Sequence, residues 1–242
     1  MTIPGRSALP NVTGAWMDSA RGALGDMPLD ELPFVVVDTE TTGTSVWGGD
    51  RITEVALVQV RAGRVGDAWS TLIYPQRPIP LWITSLTGIT DAMVRDAPPF
   101  WDVAERVRET LGAGVFVAHN VGFDWRFLDA ELQRTTGDGC APDARRLCTV
   151  RLARVFLRQL ERRSLDYLAE YYGVSIVGRH RALGDAVATA HCLTRLLNDA
   201  QGRGIGTLGD LETHIAEWRR RHRGGRRRRS FLPTSFHPTH IA

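Results

Sequence analysis

Residues 32–43 read Leu-Pro-Phe-Val-Val-Val-Asp-Thr-Glu-Thr-Thr-Gly, and the fold and chemistry of the chain turn on this stretch. Phe34-Val35-Val36-Val37 is an apolar, β-branched run of the kind that fills a buried central strand. Asp38-Thr39-Glu40 follows directly. In extended backbone, residues two apart project to the same side, so Asp38 and Glu40 aim two carboxylates at one point beyond the strand's C-terminal end. Ligand sites of α/β sheets favour that edge. Carboxylates so close repel each other unless a cation or proton intervenes, and hard oxygen donors select Mg²⁺ or Mn²⁺ over softer metals. Taken alone, the pair reads more readily as a solvated acidic turn than as a metal site.

Outward from this strand, a Gly/Ser-rich loop (43–49) leads to a second strand over 51–61. The Ala62-Gly63 turn joins it to a third over 65–74, as a hairpin. Proline-rich residues 75–99 read as irregular. Spacing of Val103, Val107 and Leu111 predicts a helix from Phe100 to Leu111, and Val115–Ala118 a short buried strand. Phe123–Leu132 reads as a helix with Phe123, Phe127 and Leu128 on its apolar stripe. Further helices fit 150–160, 165–172, about 181–198 and 208–221. The third of these carries Leu183, Val187, Ala190, Leu193 and Leu197 on one face. Three strands, a helix, a strand and then several helices predict an α/β domain with a mixed sheet. Residues 1–30, rich in Gly, Pro, Ser and Ala, read as a loosely ordered N-terminal extension. Residues 31–200 form the domain, and 201–242 a C-terminal helix with an arginine-rich tail.

The 242 residues suffice for one good-sized core plus appendages. No apolar run approaches the ~20 residues of a membrane span, and no signal peptide is visible in residues 1–25. Cys140, Cys148 and Cys192 lack metal-binding or redox spacing, and their odd number argues against a disulfide framework. A reducing cytoplasm is the expected compartment. The net charge of +3 hides an asymmetry, because residues 219–229 hold eight of the 30 basic residues and no acid follows Glu217. A mildly acidic body with a strongly basic tail differs from a uniformly basic nucleic-acid binder. Every basic residue is arginine, which a coding bias explains adequately.

Two further segments carry chemistry. His119-Asn120-Val121-Gly122-Phe123-Asp124 occupies the next strand-to-helix junction and puts Asp124 in a first helical turn near the same sheet edge. Complementarity to the helix dipole would by itself account for an acid there. His180-Arg181-Ala182-Leu183-Gly184-Asp185 opens the long helix, with His180 just before it on an expected mobile loop. Histidine titrates near neutrality and can accept a proton from water. Glu54, in the second strand, reads as half of a structural ion pair rather than a fifth catalytic acid.

Together the three segments, DTETTG (38–43), HNVGFD (119–124) and HRALGDA (180–186), resemble the exonuclease motifs of the DEDDh superfamily, typified by the proofreading epsilon subunit of bacterial DNA polymerase III. Leu86-Thr87-Gly88-Ile89-Thr90, with Met93 and Ala97-Pro98, resembles the family's segment between the first two motifs. A tyrosine four residues before the last aspartate would mark the sister class; Arg181 stands there and His180 precedes it. The likeness covers about residues 32–200. It implies an RNase H-like exonuclease fold, a mixed sheet of about five strands flanked by helices. It further implies that Asp38, Glu40 and Asp185 hold one divalent ion (Mg²⁺ or Mn²⁺), that Asp38 and Asp124 hold a second, and that His180 is the general base. Thr41, Asn120 and Phe123 take the positions that bind the terminal nucleotide, although Phe123 fits a core role equally well.

The implied reaction is 3′–5′ exonucleolytic release of nucleoside 5′-monophosphates from single-stranded ends, with DNA favoured over RNA by the DTETTG and TGIT forms. An exoribonuclease that trims RNA 3′ ends, and a non-catalytic nucleic-acid-binding subunit retaining the fold, remain alternatives. About thirty residues precede the first motif, and Phe231-Leu232-Pro233 lacks the glutamine of a clamp-binding motif. A stand-alone or repair-associated enzyme is therefore expected ahead of a replicative proofreader, and a polymerase or clamp partner is left open.

Overall fold

The computed structural model describes residues 24–141 and 144–222. Its centre is a five-stranded mixed sheet in the order β3-β2-β1-β4-β5. Strands β1 (Phe34–Thr41), β2 (Ile52–Arg61) and β3 (Arg64–Leu72) form an antiparallel meander. Strand β4 (Val115–Ala118) joins β1 in parallel, and β5 (Arg146–Cys148) joins β4 in parallel. The C-terminal ends of β1, β4 and β5 thus open on one edge. Ala62 and Gly63 both adopt positive φ, 48° and 67°, as a two-residue hairpin loop requires.

Alternation along β1 divides the core. Val36 faces a cluster built with α5 (Thr149–Phe156), α6 (Leu165–Tyr172), α7 (Ala182–Gln201) and α8 (Leu208–His222). Val35 and Val37 face a second cluster beneath α3 (Phe100–Gly112) and α4 (Gly122–Thr136), with Phe100, Val107, Phe127, Leu128 and Leu132. Each strand of β1 and β4 is buried on both faces, which is why both read as continuous apolar runs rather than alternating ones.

Several expectations need correction. Residues 75–99 are not wholly irregular: α1 (Leu81–Thr87) and α2 (Asp91–Val94) lie among the prolines. Helix α1 is closed by Gly88 at φ 72°, and the Thr90 hydroxyl caps α2 by accepting from Met93 N. Such short helices rest on Ile79, Ile83, Ile89 and Val94, a small cluster of their own, too brief to show a helical period. Strand β3 stops at Leu72 instead of residue 74, and helix α5 stops at Phe156 instead of 160. The short edge strand β5 carries only three residues, below what periodicity can reveal. On α7, Leu183 is 38% exposed, and the face against the sheet is made by Ala182, Ala186, Ala190 and Leu193. Small side chains let that helix lie close to the strands.

The ordered fold also begins before residue 31. Leu29 is buried, its N–H donates to the Gly206 carbonyl at 2.9 Å, and Pro28 bridges Thr207. Helix α8 likewise belongs to the domain, because Leu208 and Leu211 are fully buried in the larger cluster. The rest of the proposed N-terminal extension and the arginine tail beyond His222 lie outside the described residues. All three cysteines are free thiols. Among the described residues no helix is long and apolar enough to cross a membrane.

Candidate active site

The open edge at the end of β1 receives side chains from both faces of the sheet. Asp38 and Glu40 share the parity of Val36 and therefore point toward α7, whose first turn supplies Asp185. One carboxylate oxygen from each of Asp38, Glu40 and Asp185 lies within 4.8 Å of the others. Asp185 is buried; its Oδ2 accepts from the Arg179 guanidinium and from His180 N–H at 3.2 Å. Its Oδ1 is buried without a hydrogen-bond partner. An orphaned acceptor beside two more carboxylates makes a set of hard oxygen donors that fits a divalent metal.

Asp124 approaches from the opposite face, in the first turn of α4. It is not part of the three-carboxylate cluster. Its Oδ1 accepts from both the N–H and the hydroxyl of Thr39, each at 3.0 Å. The odd residue of the Asp-x-Glu triplet is thus the anchor of the fourth acid, a role not visible in the sequence.

The electrostatics carry the cost of this assembly. Burial first, then repulsion from Asp124, Glu40 and Asp185, raises the Asp38 pKa well above the ordinary carboxylate range. Burial, then Asp185 and Glu54, pushes Glu40 up to about 8. Burial raises Asp124 to about 7 against the hydrogen bonds from Thr39, and burial raises Asp185 as well. Four acids disfavouring ionisation at one strand end is an arrangement that structural acids rarely show and that functional sites often do.

His180 sits at positive φ, 62°, on the turn between Gly178 and α7. Its neighbour Arg179 was not singled out from the sequence. It forms a two-point ion pair with Asp166 of α6, at 2.7 and 3.1 Å, while it also holds Asp185. Its partner lies 13 residues upstream in helix α6, a contact that local spacing cannot reveal. Gly184 fixes the same turn: a Cβ there would overlap the carbonyl oxygens of Val177 and Gly178. Glu54, as expected, is a structural partner. It accepts from Arg181 Nε and Nη2 at 3.0 and 2.7 Å and from Ala182 N at 2.9 Å, tying the start of α7 to β2.

The three residues expected to hold a nucleotide differ in setting. Asn120 is exposed with φ 75° at the lip of the edge. Phe123 is half-buried, one side against Phe127 with ring centroids 4.9 Å apart. Thr41 is buried, and its hydroxyl donates to the Gly43 carbonyl at 2.5 Å, so it shapes the loop after β1. His119, beside them, donates to or accepts from the Thr149 hydroxyl at 2.9 Å, and burial lowers its pKa to about 4. It is neutral near pH 7 and unsuited to being a charged ligand of phosphate.

A mixed sheet whose central strand ends in paired acids, completed by an acid from each flanking helix and a histidine ahead of the last one, defines a DEDDh-type 3′–5′ exonuclease domain. The chain belongs to the exonuclease family, whose model matches residues 35–193. It is 42% identical over 197 residues to a DNA polymerase III subunit epsilon-like protein of Rhodobacter capsulatus, an alignment that covers 80% of this chain and 28% of that protein. The chain therefore spans less than a third of that relative. Among solved structures, exonuclease X in complex with 5′-overhanging duplex DNA superposes with a TM-score of 0.54 at 29% identity, covering 69% of this chain and 93% of the other. The nuclease domain of 3′hExo, a DEDDh family member bound to rAMP, shares the fold with a TM-score of 0.60 at 19% identity, covering 72% and 95%. Enzymes of the DEDDh type depend on divalent metal, and an acidic cluster of oxygen donors stands at the end of β1.

Proposed function

We propose that the protein uses two divalent ions, Mg²⁺ or Mn²⁺, to remove nucleoside 5′-monophosphates from single-stranded 3′ ends, with DNA favoured over RNA. The convergence of Asp38, Glu40 and Asp185 oxygens within 4.8 Å, with one Asp185 oxygen left without a partner, carries this reading. Asp38, Glu40 and Asp185 would hold one ion, and Asp38 with Asp124 the second. When bound, such ions lower the pKa of an attacking water and stabilise the leaving 3′-oxygen.

The chain's own groups supply the rest. His180, on the turn that Gly184 and Arg179 hold in place, accepts the proton of the attacking water at the mouth of the cluster. Asn120 presents its side chain at the lip, where it can hydrogen-bond the terminal nucleotide, and the free side of Phe123 offers a surface for its sugar or base. Thr41 keeps the 43–50 loop clear of the strand end. The epsilon-like relative and the DNA-bound likeness favour DNA.

Labelled single-stranded DNA and RNA of equal length, incubated with Mg²⁺, Mn²⁺ or EDTA, test the proposal. Stepwise shortening from the 3′ end with release of 5′-monophosphates, abolished by EDTA and faster on DNA, is expected. Full activity in chelator would sink the two-ion reading; faster shortening of RNA would reassign the substrate.

A further inference from the structure

Between the start of α4 and the edge strand β5 lies a cavity of about 470 Å³ lined by Val121, Gly122, Ala144, Arg145, Arg146, Arg151 and Glu212. Its volume falls in the ~300–1,000 Å³ range of pockets that accept small ligands or fragments of larger ones. Three of the seven lining residues are arginines and one is an acid. Glu212 pairs with Arg145 at 2.6 Å. Arg146 and Arg151 pair with no acid among the described residues. Arg146 instead places its guanidinium carbon over the Trp125 ring, 4.4 Å from the centroid, and Trp125 is itself packed edge-on against Phe116 of β4 at 5.2 Å. A guanidinium already held against an aromatic ring loses less freedom when it binds than one free in solvent. Arg151 projects from the first turn of α5 and is exposed. Arg126 adds another guanidinium at the same wall, its Nε donating to the Gly122 carbonyl at 2.8 Å.

We propose that this cavity is a second binding site, one that holds a backbone phosphodiester of the nucleic acid through Arg146 and Arg151. The inference rests on the nucleic-acid reading given above. Position and charge both argue for it. Val121 and Gly122 form part of the cavity wall and also belong to the segment that carries Asn120, Phe123 and Asp124, so a strand leaving the catalytic edge along α4 meets the arginines. A carboxylate cluster repels a polyanion, and binding energy for the strand must come from elsewhere. Two acid-free guanidiniums in a concave polar site supply it, since arginine matches phosphate with two donors at once. The phosphodiester can come from the strand being shortened or, at a duplex end, from the complementary strand.

Affinity measured in EDTA, where no cleavage occurs, tests the site apart from catalysis. Fluorescence anisotropy with single strands of graded length is compared for the unaltered protein, for Arg146→Gln/Arg151→Gln, and for Arg154→Gln, an exposed arginine of α5 outside the cavity. The double variant should bind long single strands roughly tenfold or more weakly. Its slope of log affinity against log salt should flatten by ~1.4, at ~0.7 per lost contact to a single strand. The defect should grow with strand length, and Arg154→Gln should bind like the unaltered protein. Arg146→Lys/Arg151→Lys keeps both charges and should restore most of the salt slope; melting curves of each variant separate lost contacts from lost fold. A defect on duplex ends alone would support the phosphate site and assign it to the complementary strand. Unchanged affinity and salt slope on both substrates would overturn the proposal even if cleavage is intact. Arginine-dependent binding by a protein that cleaves nothing in any metal would instead overturn the exonuclease reading and leave the site standing.

Discussion

Replacing Glu40 by glutamine should make the metal-free protein more stable while it destroys the site. Glu40 is pushed from an ordinary 4.5 up to about 8, by burial first and then by Asp185 and Glu54. Between those two values the folded protein retains a proton that the unfolded chain has released. A raised pKa contributes stability that is fully present below 4.5 and lost as pH climbs toward 8. Integrated from near pH 5 to about pH 8, the loss approaches ~3 kcal/mol for this group alone. Glutamine is neutral throughout and escapes it. At ~2–4 °C per kcal/mol for a chain of this size, and allowing for relaxation of the neighbouring acids, Glu40→Gln should melt roughly 5–10 °C higher than the unaltered protein in EDTA at about pH 8. Near pH 5 the two should almost coincide. Saturating Mn²⁺ should reverse the order, because an ion that binds only the folded state stabilises the intact site. Melting curves by differential scanning fluorimetry across pH, with and without Mn²⁺, provide the check. A difference independent of pH, or a variant that melts lower in EDTA at both pH values, would refute the account of the cluster as a set of acids held apart from their cation.

Three other outcomes are expected. His180→Ala should lower the rate by ~10²–10⁴-fold, the usual worth of proton transfer, with a deficit that narrows as pH rises and hydroxide substitutes for the base; equal rates near pH 7 would remove His180 from that role. Gly184→Ala should slow cleavage without touching a ligand, because the added methyl displaces the Val177–Gly178 turn that carries Arg179 and His180; normal kinetics would mean that this turn is not held as described. Arg181→Ala should destabilise the fold by about 3 kcal/mol, since it strands the buried Glu54 carboxylate on one remaining hydrogen bond, whereas Glu54→Gln should cost less; denaturant titrations that rank them the other way would contradict the pairing.

The parts of the fold legible from the sequence were those governed by local regularity. Phe34–Val37 and Val115–Ala118 are apolar on every residue because both faces of the sheet are covered, and Leu165–Tyr172 has apolar spacing and a left-handed Gly173 that closes its C-terminal end. The segments that were missed are held by contacts across the chain. Helix α1 depends on Ile79 and Ile89 beneath it, β5 on pairing with β4, and Leu29 on the turn before α8. The site divides in the same way. Asp38, Glu40, Asp124, His180 and Asp185 stand in recognisable order, and the structure brings three of those acids to one point with Asp124 adjoining. Thr39, Arg179 and Asp166 matter through partners 85, 6 and 13 residues away, and such pairings leave no trace in spacing. Trp125 beneath Arg146 belongs to the same group.

Strand β1 places its acids by alternation, with Asp38 opposite Ala56 and Glu40 opposite Glu54 on β2. A slip of one residue would turn every side chain of the strand to the other face. Asp38 and Glu40 would then enter the apolar layer with Phe127 and Leu128, and Val35 and Val37 would be turned toward α7. Such a misaligned molecule loses its acids from the site and buries two charges among hydrocarbons at once. Inactivity and instability arrive together, so an alignment error in this strand cannot accumulate as a folded but silent population; the chain that keeps its shape is the chain that keeps its site.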